Sequence, residues 1–298
     1  MNAHARDLDE ERRRLGQGVP PDWASEWGED RHGVFVGFAL GDASMRMRWI
    51  PSGRFLMGSP EDEEGRFENE GLRHEVTISK GFWLFDTACT QGLWQAVMGG
   101  NPSRFKSDDR PVENVSWNDA REFMGRINDR IPGLDLCLPS EAQWEYACRA
   151  GTPGATYAGN LKILGQNNAP QLDAIAWYGG NSGEGFDLED GYDSSDWSEK
   201  QYPHTKAGTR PVRLKKSNPW GLYDMLGNVL EWCADGMRVY DGAAQRDPLG
   251  ATESAAGRVL RGGSWFNSAR GVRSASRDAS DPGDRAGIVG FRCARVQD

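Results

Sequence analysis

RVLRGGSWFNSARGVRSASRD, residues 258–278, and GFRCAR, residues 290–295, are the stretches from which the fold of this chain is best predicted. In GFRCAR, Phe291 and Cys293 alternate with arginines, which predicts a closing strand with these two side chains facing inward. Upstream, LYDMLGNVLEWCAD at 222–235 places the carboxylates of Asp224 and Glu231 on either side of a tight Gly227–Asn228 turn. The C-terminal segment is therefore expected to belong to the folded domain.

The composition predicts one large, loop-rich domain. The chain has 298 residues, enough to bury a sizeable core, and it contains 12 Trp and 38 Gly. Tryptophan buries much area per residue, and glycine lets the backbone turn tightly. We therefore expect irregular backbone held by aromatic anchors, with a charged N-terminal extension over residues 1–30 and a single domain over residues 31–298.

Charge and cysteine usage exclude several classes of protein. The net charge of −9 argues against nucleic acid as a partner, because phosphates are bound by clustered Lys and Arg. The five cysteines are widely spaced and form no CxxC pair, so buried free thiols are favoured over a zinc site or a disulfide framework. The charged N-terminus lacks the apolar core of a secretory signal, and no apolar run is long enough to span a membrane. A cytoplasmic location is therefore expected, with export by an unrecognised route left open.

Capping patterns predict three helices. Thr90, Ser116 and Ser140 each precede an apolar stripe at helical spacing. Asp119 and Gln143 lie three residues after the second and third of these caps, as in a capping box. Helices are therefore predicted to begin directly after each cap.

The rest of the chain is predicted as short strands and loops. A short helix is expected over Arg6–Leu15, and glycine-punctuated strands begin at Gly33. The alternating segment HEVTISKGFWLFDTACT, residues 74–90, predicts a hairpin. Residues 152–218 show no periodicity, but their interspersed aromatic residues predict a folded loop region.

Six ordered blocks together resemble the formylglycine-generating-enzyme (sulfatase-modifying factor) family, whose fold is related to that of C-type lectins. The resemblance covers approximately Met45 to Arg295 and implies an α+β fold with little regular secondary structure. The blocks are WIPSGRFLMGS, PVENVSW, LPSEAQWEYACRAG, NPWGLYDMLGNVLEW, RVLRGGSW and GFRCAR.

The resemblance also implies a structural calcium ion at the Gly227–Asn228 turn. Its ligands would be the carboxylates of Asp224 and Glu231 and the main-chain carbonyls of Gly227 and Val229. Calcium takes six to eight oxygen ligands and accepts backbone carbonyls, so the donor types are suitable. The alternative is a turn whose carboxylates cap nearby amides or pair with arginine.

The chemistry for which this family is best known has no visible counterpart here. Its enzymes oxidise a cysteine with two active-site thiolates that bind copper(I), a soft metal suited to soft ligands. The corresponding positions in this chain hold Asn267 and Val272, so no copper is expected. The chain also lacks HxxxH or HExxH spacing and the GxSxG, GxxxxGK[ST] and GxGxxG motifs. The sequence therefore favours a protein without enzymatic activity.

The chain is most similar to the variable proteins of diversity-generating retroelements within this fold family. In these proteins a C-terminal segment is rewritten by adenine-directed mutagenesis and displays a ligand-binding surface, which here would lie within residues 258–298. Arginines between the candidate positions, such as Arg273, Arg277 and Arg292, would anchor that surface. The candidate ligand-binding positions are Phe266, Asn267, Ser268, Gly271, Ser276, Asp278, Ala279, Ser280, Asp281, Asp284, Ala286, Gly287 and Ile288.

The residue types at these positions are consistent with such rewriting. An AAC codon altered only at its two adenines cannot encode Lys, Glu, Gln, Met or Trp. None of these five residues occurs from Phe266 to Val296, although they are common earlier in the chain. The alternative is an ordinary surface loop that is rich in small residues because it only connects two strands.

The sequence thus predicts a non-catalytic binding protein whose C-terminal segment, diversified by a retroelement, recognises a protein or other macromolecular ligand. The main alternative is a formylglycine-generating-enzyme-like oxidoreductase, or a maturation factor, that uses residues other than cysteine. A third is a domain that binds one fixed partner.

Overall fold

The computed structural model, which describes residues 7–251 and 257–296, combines a few short helices with short strands and much irregular backbone. The helices within this part of the chain are α1 (Leu8–Gly16), α2 (Gln91–Met98), α3 (Trp117–Arg130) and α4 (Glu141–Arg149). None of these helices is long and apolar enough to cross a membrane. Arg6, at the start of the predicted N-terminal helix, and residues 297–298 of the predicted variable segment lie outside the described residues.

The three helices predicted from capping patterns begin at the expected residues. The hydroxyl of Thr90 accepts a hydrogen bond from the backbone N–H of Leu93 at 3.4 Å. At the start of α3, the Ser116 hydroxyl accepts from the N–H of Asp119 at 3.1 Å, and the Asp119 carboxylate accepts from the N–H of Ser116 at 2.8 Å. The same reciprocal pair begins α4. Each cap therefore supplies partners for amides that have none inside the helix.

The strands in the described residues are β1 (Glu26–Asp30), β2 (Gly33–Leu40), β3 (Ala43–Ile50), β4 (Gly53–Met57), β5 (His74–Ile78), β6 (Phe82–Phe85), β7 (Tyr192–Asp193), β8 (Lys206–Ala207), β9 (Leu230–Gly236), β10 (Gln245–Arg246), β11 (Arg258–Arg261), β12 (Arg277–Ser280), β13 (Val289–Gly290) and β14 (Ala294–Arg295). These strands form four small sheets. A five-stranded sheet has the order β1-β2-β3-β6-β14, a three-stranded sheet the order β10-β5-β4, and a four-stranded sheet the order β12-β11-β9-β13, while β7 pairs with β8.

The hairpin predicted within residues 74–90 is wrong. Both segments are strands, but β5 pairs with β4 and β10, whereas β6 pairs with β3 and β14. All four residues of β6 are buried, as befits an inner strand covered on both faces. Alternation within one segment shows that it is a strand but does not choose its partner.

The N-terminal segment packs on the rest of the chain. Leu8 and Leu15 of α1 are buried in one of the two large hydrophobic clusters, and β1 pairs along its whole length with β2. Part of the predicted extension over residues 1–30 therefore contributes to the core and to the main sheet.

The long aperiodic region over residues 152–218 is folded, as predicted. Trp177 and Tyr178 are buried, and the Tyr178 hydroxyl donates to the side chain of Gln201 at 2.6 Å. The β7–β8 pair lies in this region and brings Tyr192 beside the C-terminal segment. Aromatic anchors thus hold irregular backbone in place, as the composition predicts.

Candidate functional site

The C-terminal surface, residues 266–288, begins after β11 with a turn that requires glycine. Gly262 and Gly263 have φ angles of +92° and +71°. A Cβ at Gly262 would lie 2.8 Å from the carbonyl oxygen of Met225, and one at Gly263 would lie 2.7 Å from that of Gly271. The two glycines therefore let the chain turn out of the sheet, and the surface begins at Trp265 and Phe266.

Beneath this surface lies a set of buried ion pairs, which we call the arginine frame: Arg261, Arg273, Arg277 and Arg292 with their glutamate partners. Arg261 donates to Glu145 at 2.5 Å and to the carbonyl oxygens of Ala275 and Ser276 at 3.0 and 2.6 Å. Arg292 donates two hydrogen bonds of 2.7 Å to Glu231. Each of these arginines ties a stretch of the C-terminal segment to another element of the fold.

The other two members of the frame reach more distant parts of the chain. Arg273 binds Glu63 at 2.6 Å and also pairs with Glu70, and Arg277 binds Glu141 in α4 at 2.5 and 2.8 Å. All four arginines and their partners are buried, so their positions are fixed on both sides. Bidentate arginine–carboxylate pairs fix direction as well as distance.

On the outer side, one end of the C-terminal surface forms an aromatic pocket of about 330 Å³. Phe266 is 42% exposed there, and its ring packs edge-to-face against Tyr192 and Trp265, with centroids 5.5 and 5.6 Å away. The pocket is lined by Arg104, Phe105, Asn114, Tyr192, Trp265, Phe266, Ala286, Gly287 and Ile288. Four of these, Phe266, Ala286, Gly287 and Ile288, are predicted ligand-binding positions.

The walls of the aromatic pocket are held from behind. The buried Trp265 donates from Nε1 to the carbonyl oxygen of Gly287 at 2.8 Å. The buried Glu113 carboxylate accepts from the backbone N–H of Phe105 at 3.0 Å and from that of Arg104. Burial raises the pKa of Glu113, and the two N–H donors oppose that rise. The pocket is therefore formed before any ligand arrives.

A second, more polar cleft of about 260 Å³ lies at the other end of the surface. Four predicted positions, Asn267, Gly271, Ser276 and Asp278, line it together with Phe67 and Asn69. The side-chain oxygen of Asn267 accepts from the Ser264 hydroxyl at 2.6 Å. Ser276 is buried and its carbonyl oxygen binds Arg261, so this position belongs to the floor of the cleft and not to its rim.

The other predicted positions follow the outer edge of the segment. Asp281 and Asp284 are exposed, and the Asp284 carboxylate accepts from the backbone N–H of Asp281 at 3.1 Å, which closes a tight turn. This turn is anchored by Arg285, which binds Asp119 of α3 with two hydrogen bonds of 2.7 Å. The half-buried positions Ser268, Ala279 and Ser280 line neither of the two clefts described above.

One predicted calcium ligand, Glu231, belongs to the arginine frame, and Arg292 of the frame also donates to the main-chain carbonyl oxygen of Asp224 at 3.3 Å. Glu231 Oε2 accepts from Arg292 and from the indole N–H of Trp144, both at 2.7 Å, and Oε1 accepts one further bond from Arg292. Asp224 Oδ2 accepts from the N–H of Arg213 at 2.9 Å, whereas its buried Oδ1 has no partner in the described part of the chain. Burial raises the pKa of Asp224 to about 6.

Of the two predicted carboxylate ligands, Asp224 fits a cation, because a buried carboxylate oxygen without a donor is what a bound cation would satisfy. Glu231 is already bound by Arg292 and Trp144, so it retains little capacity for a metal. Gly227 and Val229 belong to the same turn and would contribute only carbonyl oxygens. The calcium site stays a prediction, with Asp224 as its best-supported ligand.

Asn267 and Val272, which the resemblance aligns with the family's catalytic cysteines, offer no thiolate. Val272 is fully buried in the core, and Asn267 is an amide at the polar cleft. Cys148 lies 3.6 Å from the Ser274 hydroxyl, but burial raises the pKa of this thiol to about 12, so it stays protonated. Burial likewise raises the pKa of Cys89, Cys233 and Cys293 well above the usual range.

Sequence reasoning missed the part of the aromatic pocket that lies outside the C-terminal segment. Arg104 and Phe105 come from a loop and Tyr192 comes from β7, and both segments are distant in sequence from Phe266. Their signal was weak: Tyr192 is one aromatic residue in an acidic loop, and Phe105 follows no periodic pattern.

Known proteins resemble this chain in both sequence and fold. The family model described as "Sulfatase-modifying factor enzyme 1-like domain" matches residues 41–297. The formylglycine-generating enzyme of Streptomyces coelicolor is 31% identical over 252 residues, 78% of this chain and 70% of that protein. Chaperone protein LppX of Paenibacillus barcinonensis is 33% identical over 192 residues, 53% of this chain and 63% of that protein. Among solved structures, Treponema denticola variable protein 1 superposes with a TM-score of 0.69 at 29% identity, over 88% of this chain and 98% of that one.

Proposed function

This chain belongs to the sulfatase-modifying factor enzyme 1-like family, and from that premise we propose that it is a non-catalytic protein that binds a macromolecular ligand through its C-terminal surface. The observation that carries this proposal is the division of residues 258–295 into a buried arginine frame and an outer side with two clefts. Eight of the predicted ligand-binding positions line those clefts. Loops on a rigid scaffold can change their side chains without unfolding the scaffold, which suits a binding surface.

The state of the thiols supports the absence of the family's oxidase activity. Catalysis by cysteine requires an accessible thiolate, because the thiolate is the nucleophile and the metal ligand. Cys148, the cysteine nearest to Ser274 in the segment, is buried and protonated at neutral pH. Incubation with oxygen, copper(I) and a thiol peptide should therefore consume no oxygen above background, and sustained consumption would overturn the proposal.

We further propose that the C-terminal segment is diversified by a retroelement. The similarity to a variable protein in sequence and structure and the absence of Lys, Glu, Gln, Met and Trp from Phe266 to Val296 support this view. Sequencing of the DNA that flanks the gene tests it. A repeat that differs from the codons of residues 266–288 almost only at adenines is expected, together with a reverse transcriptase gene. An intact flanking region without either would contradict it.

We also propose that calcium, when bound, acts structurally at Asp224. The unpartnered buried oxygen of that residue supports this role. The ion would hold the turn that leads into β9, and Glu231 of β9 holds Arg292 of the arginine frame. Calcium would thus stabilise the support of the binding surface without contacting the ligand.

A second candidate function is that of a maturation factor or chaperone with one fixed client. The similarity to Chaperone protein LppX favours it. The two functions differ in the genomic result, because a chaperone needs no template repeat and would be encoded beside its client. Co-expression with the neighbouring genes should then raise the yield of one folded product, which a diversified binder would not do.

A further inference from the structure

We propose that the aromatic pocket binds an aromatic ring with a carboxylate beside it. A phenylalanine at the C-terminus of a peptide, or next to an acidic residue within a protein, offers this combination. The inference rests on the proposed function and names the chemistry of its ligand.

The shape and lining of the pocket account for the ring. Phe266 and Tyr192 are 42% and 37% exposed, so two large apolar rings are left facing water at the mouth of a pocket of about 330 Å³. Trp265 and Ile288 extend the apolar wall inward. Burying such rings against a ligand ring is favourable, and aromatic pairs gain further from edge-to-face or offset packing.

Arg104 accounts for the carboxylate. Its guanidinium lies 5.3 Å from the centroid of Phe105 and 5.5 Å from that of Tyr192, and the side chain is exposed at the pocket. Within the described residues its guanidinium forms no salt bridge, and its hydrogen bond to the carbonyl oxygen of Asp190 is long, at 3.5 Å. A guanidinium held in place on aromatic faces can bind a carboxylate with two parallel hydrogen bonds.

The same geometry argues against a cationic ligand. An aromatic cage for an ammonium group needs rings spaced around an open centre. Here the rings of Tyr192, Trp197, Trp265 and Phe266 touch one another, with centroids 5.1 to 6.1 Å apart, so no open centre exists. Arg104 would also repel a cation at the mouth of the pocket.

The test uses four small probes and the full chain. The probes are N-acetylphenylalanine, its neutral amide, N-acetylglycine, and N-acetyl-aspartyl-phenylalanine amide. Binding is followed by NMR through the indole N–H signal of Trp265 in protein labelled with nitrogen-15. The protein should bind N-acetylphenylalanine, a ligand of few atoms, with a Kd on the order of 1 mM. The neutral amide should bind about fivefold more weakly, because it lacks the ion pair, and N-acetylglycine should cause no shift.

The variant Arg104→Gln should bind the acid and the amide equally, while keeping the thermal midpoint because residue 104 is exposed. Arg121→Gln is the matched control, since Arg121 also lies over a ring, at 5.1 Å from Trp117, but away from the pocket. It should keep the fivefold preference.

The two acidic probes separate the sources of the carboxylate. Tighter binding of N-acetylphenylalanine assigns the site to a chain terminus, and tighter binding of the aspartyl peptide assigns it to an internal acidic–aromatic pair. No shift of Trp265 with any probe, or a preference for the acid that survives in Arg104→Gln, would overturn the inference. Neither result contradicts the proposed function. That proposal would fail if a macromolecule selected for binding to this protein still bound after Phe266, Asn267 and Asp284 were replaced by Ala.

Discussion

Between Arg258 and Arg295, the inward-facing and outward-facing side chains differ in chemistry as much as in burial. Inward, long arginines cross the core to paired glutamates, as Arg261 does to Glu145 and Arg292 to Glu231. Outward, Asp281 and Asp284 contact mainly their immediate neighbours, and the partly exposed Phe266 packs on other exposed or partly exposed rings such as Tyr192. The inner side chains are held by buried ion pairs, whereas the outer ones are not. A change on the outer side therefore leaves the inner contacts intact.

The comparison predicts its largest effect for Arg261→Ala. Removing one member of a buried ion pair leaves the other charge without a partner, which costs about 3–5 kcal/mol of unfolding free energy. Arg261→Ala also frees the carbonyl oxygens of Ser274, Ala275 and Ser276. Urea denaturation measures the loss.

Arg285→Ala is the matched control on the outer side. Arg285 pairs with Asp119 as well, but about half of its side chain is exposed. Its removal should cost less than about 1 kcal/mol. Equal losses for the two variants would contradict the division into an inner frame and an outer surface.

Calcium removal is expected to have the next largest effect. If calcium satisfies Asp224 and thereby the support of Arg292, excess EGTA should lower the unfolding free energy by about 2 kcal/mol relative to saturating calcium. Asp224→Asn should abolish that difference. An unaltered protein whose thermal midpoint is the same with EGTA and with calcium would show that the turn needs no ion.

Asp235 differs from the glutamates of the arginine frame, because it is a buried carboxylate held by backbone N–H groups without an arginine. Its two oxygens accept from Glu141 and Gly250, both at 2.6 Å, and burial raises its pKa to about 6. The folded protein therefore takes up a proton at higher pH than the unfolded chain does, so stability increases as the pH falls through about 6. Between pH 7.5 and 5 this gain should be about 1 kcal/mol.

The contribution of Asp235 is isolated as the difference between the original protein and Asp235→Asn, measured by denaturation at both pH values. The asparagine variant cannot titrate at this position. If its pH dependence equals that of the original protein, Asp235 does not titrate near pH 6.

The smallest stability effect is expected for the outer residues. Phe266, Asn267 and Asp284 are replaced by Ala in one triple variant. Each substitution should contribute less than about 0.5 kcal/mol to the change in unfolding free energy, as is usual for surface positions. Ligand binding should be lost, because these side chains lie at the aromatic pocket, the polar cleft and the outer turn. A large drop in the thermal midpoint would show that they are part of the core.

Local features of the sequence predicted local structure well. The caps at Thr90, Ser116 and Ser140 form their hydrogen bonds within three residues, so nothing distant is needed to place the helices. The pairing of β5 and β6 was mispredicted because the choice of a partner strand depends on contacts made far along the chain. Family resemblance, not periodicity, supplied the fold class.

The candidate site was predictable only on its own segment. Phe266, Ala286, Gly287 and Ile288 were named from the sequence, but Arg104 and Tyr192 complete the pocket from other segments of the chain. The glutamate partners of the frame arginines were also not predictable, since Glu63, Glu70 and Glu141 lie more than a hundred residues away. Side chains that meet through tertiary folding leave no spacing pattern in the sequence.

The measurement that tests this account most directly compares two libraries by the fraction of variants that stay folded. One library randomises Phe266, Asn267, Asp278, Asp284 and Ile288 with codons ending in C. The other randomises the same number of inner positions, Arg261, Val272, Arg273, Ala275 and Arg277. We predict that most variants of the outer library melt within about 5 °C of the parent and that few of the inner library do. Equal losses in the two libraries would contradict the claim that a variable surface rests on a fixed arginine frame.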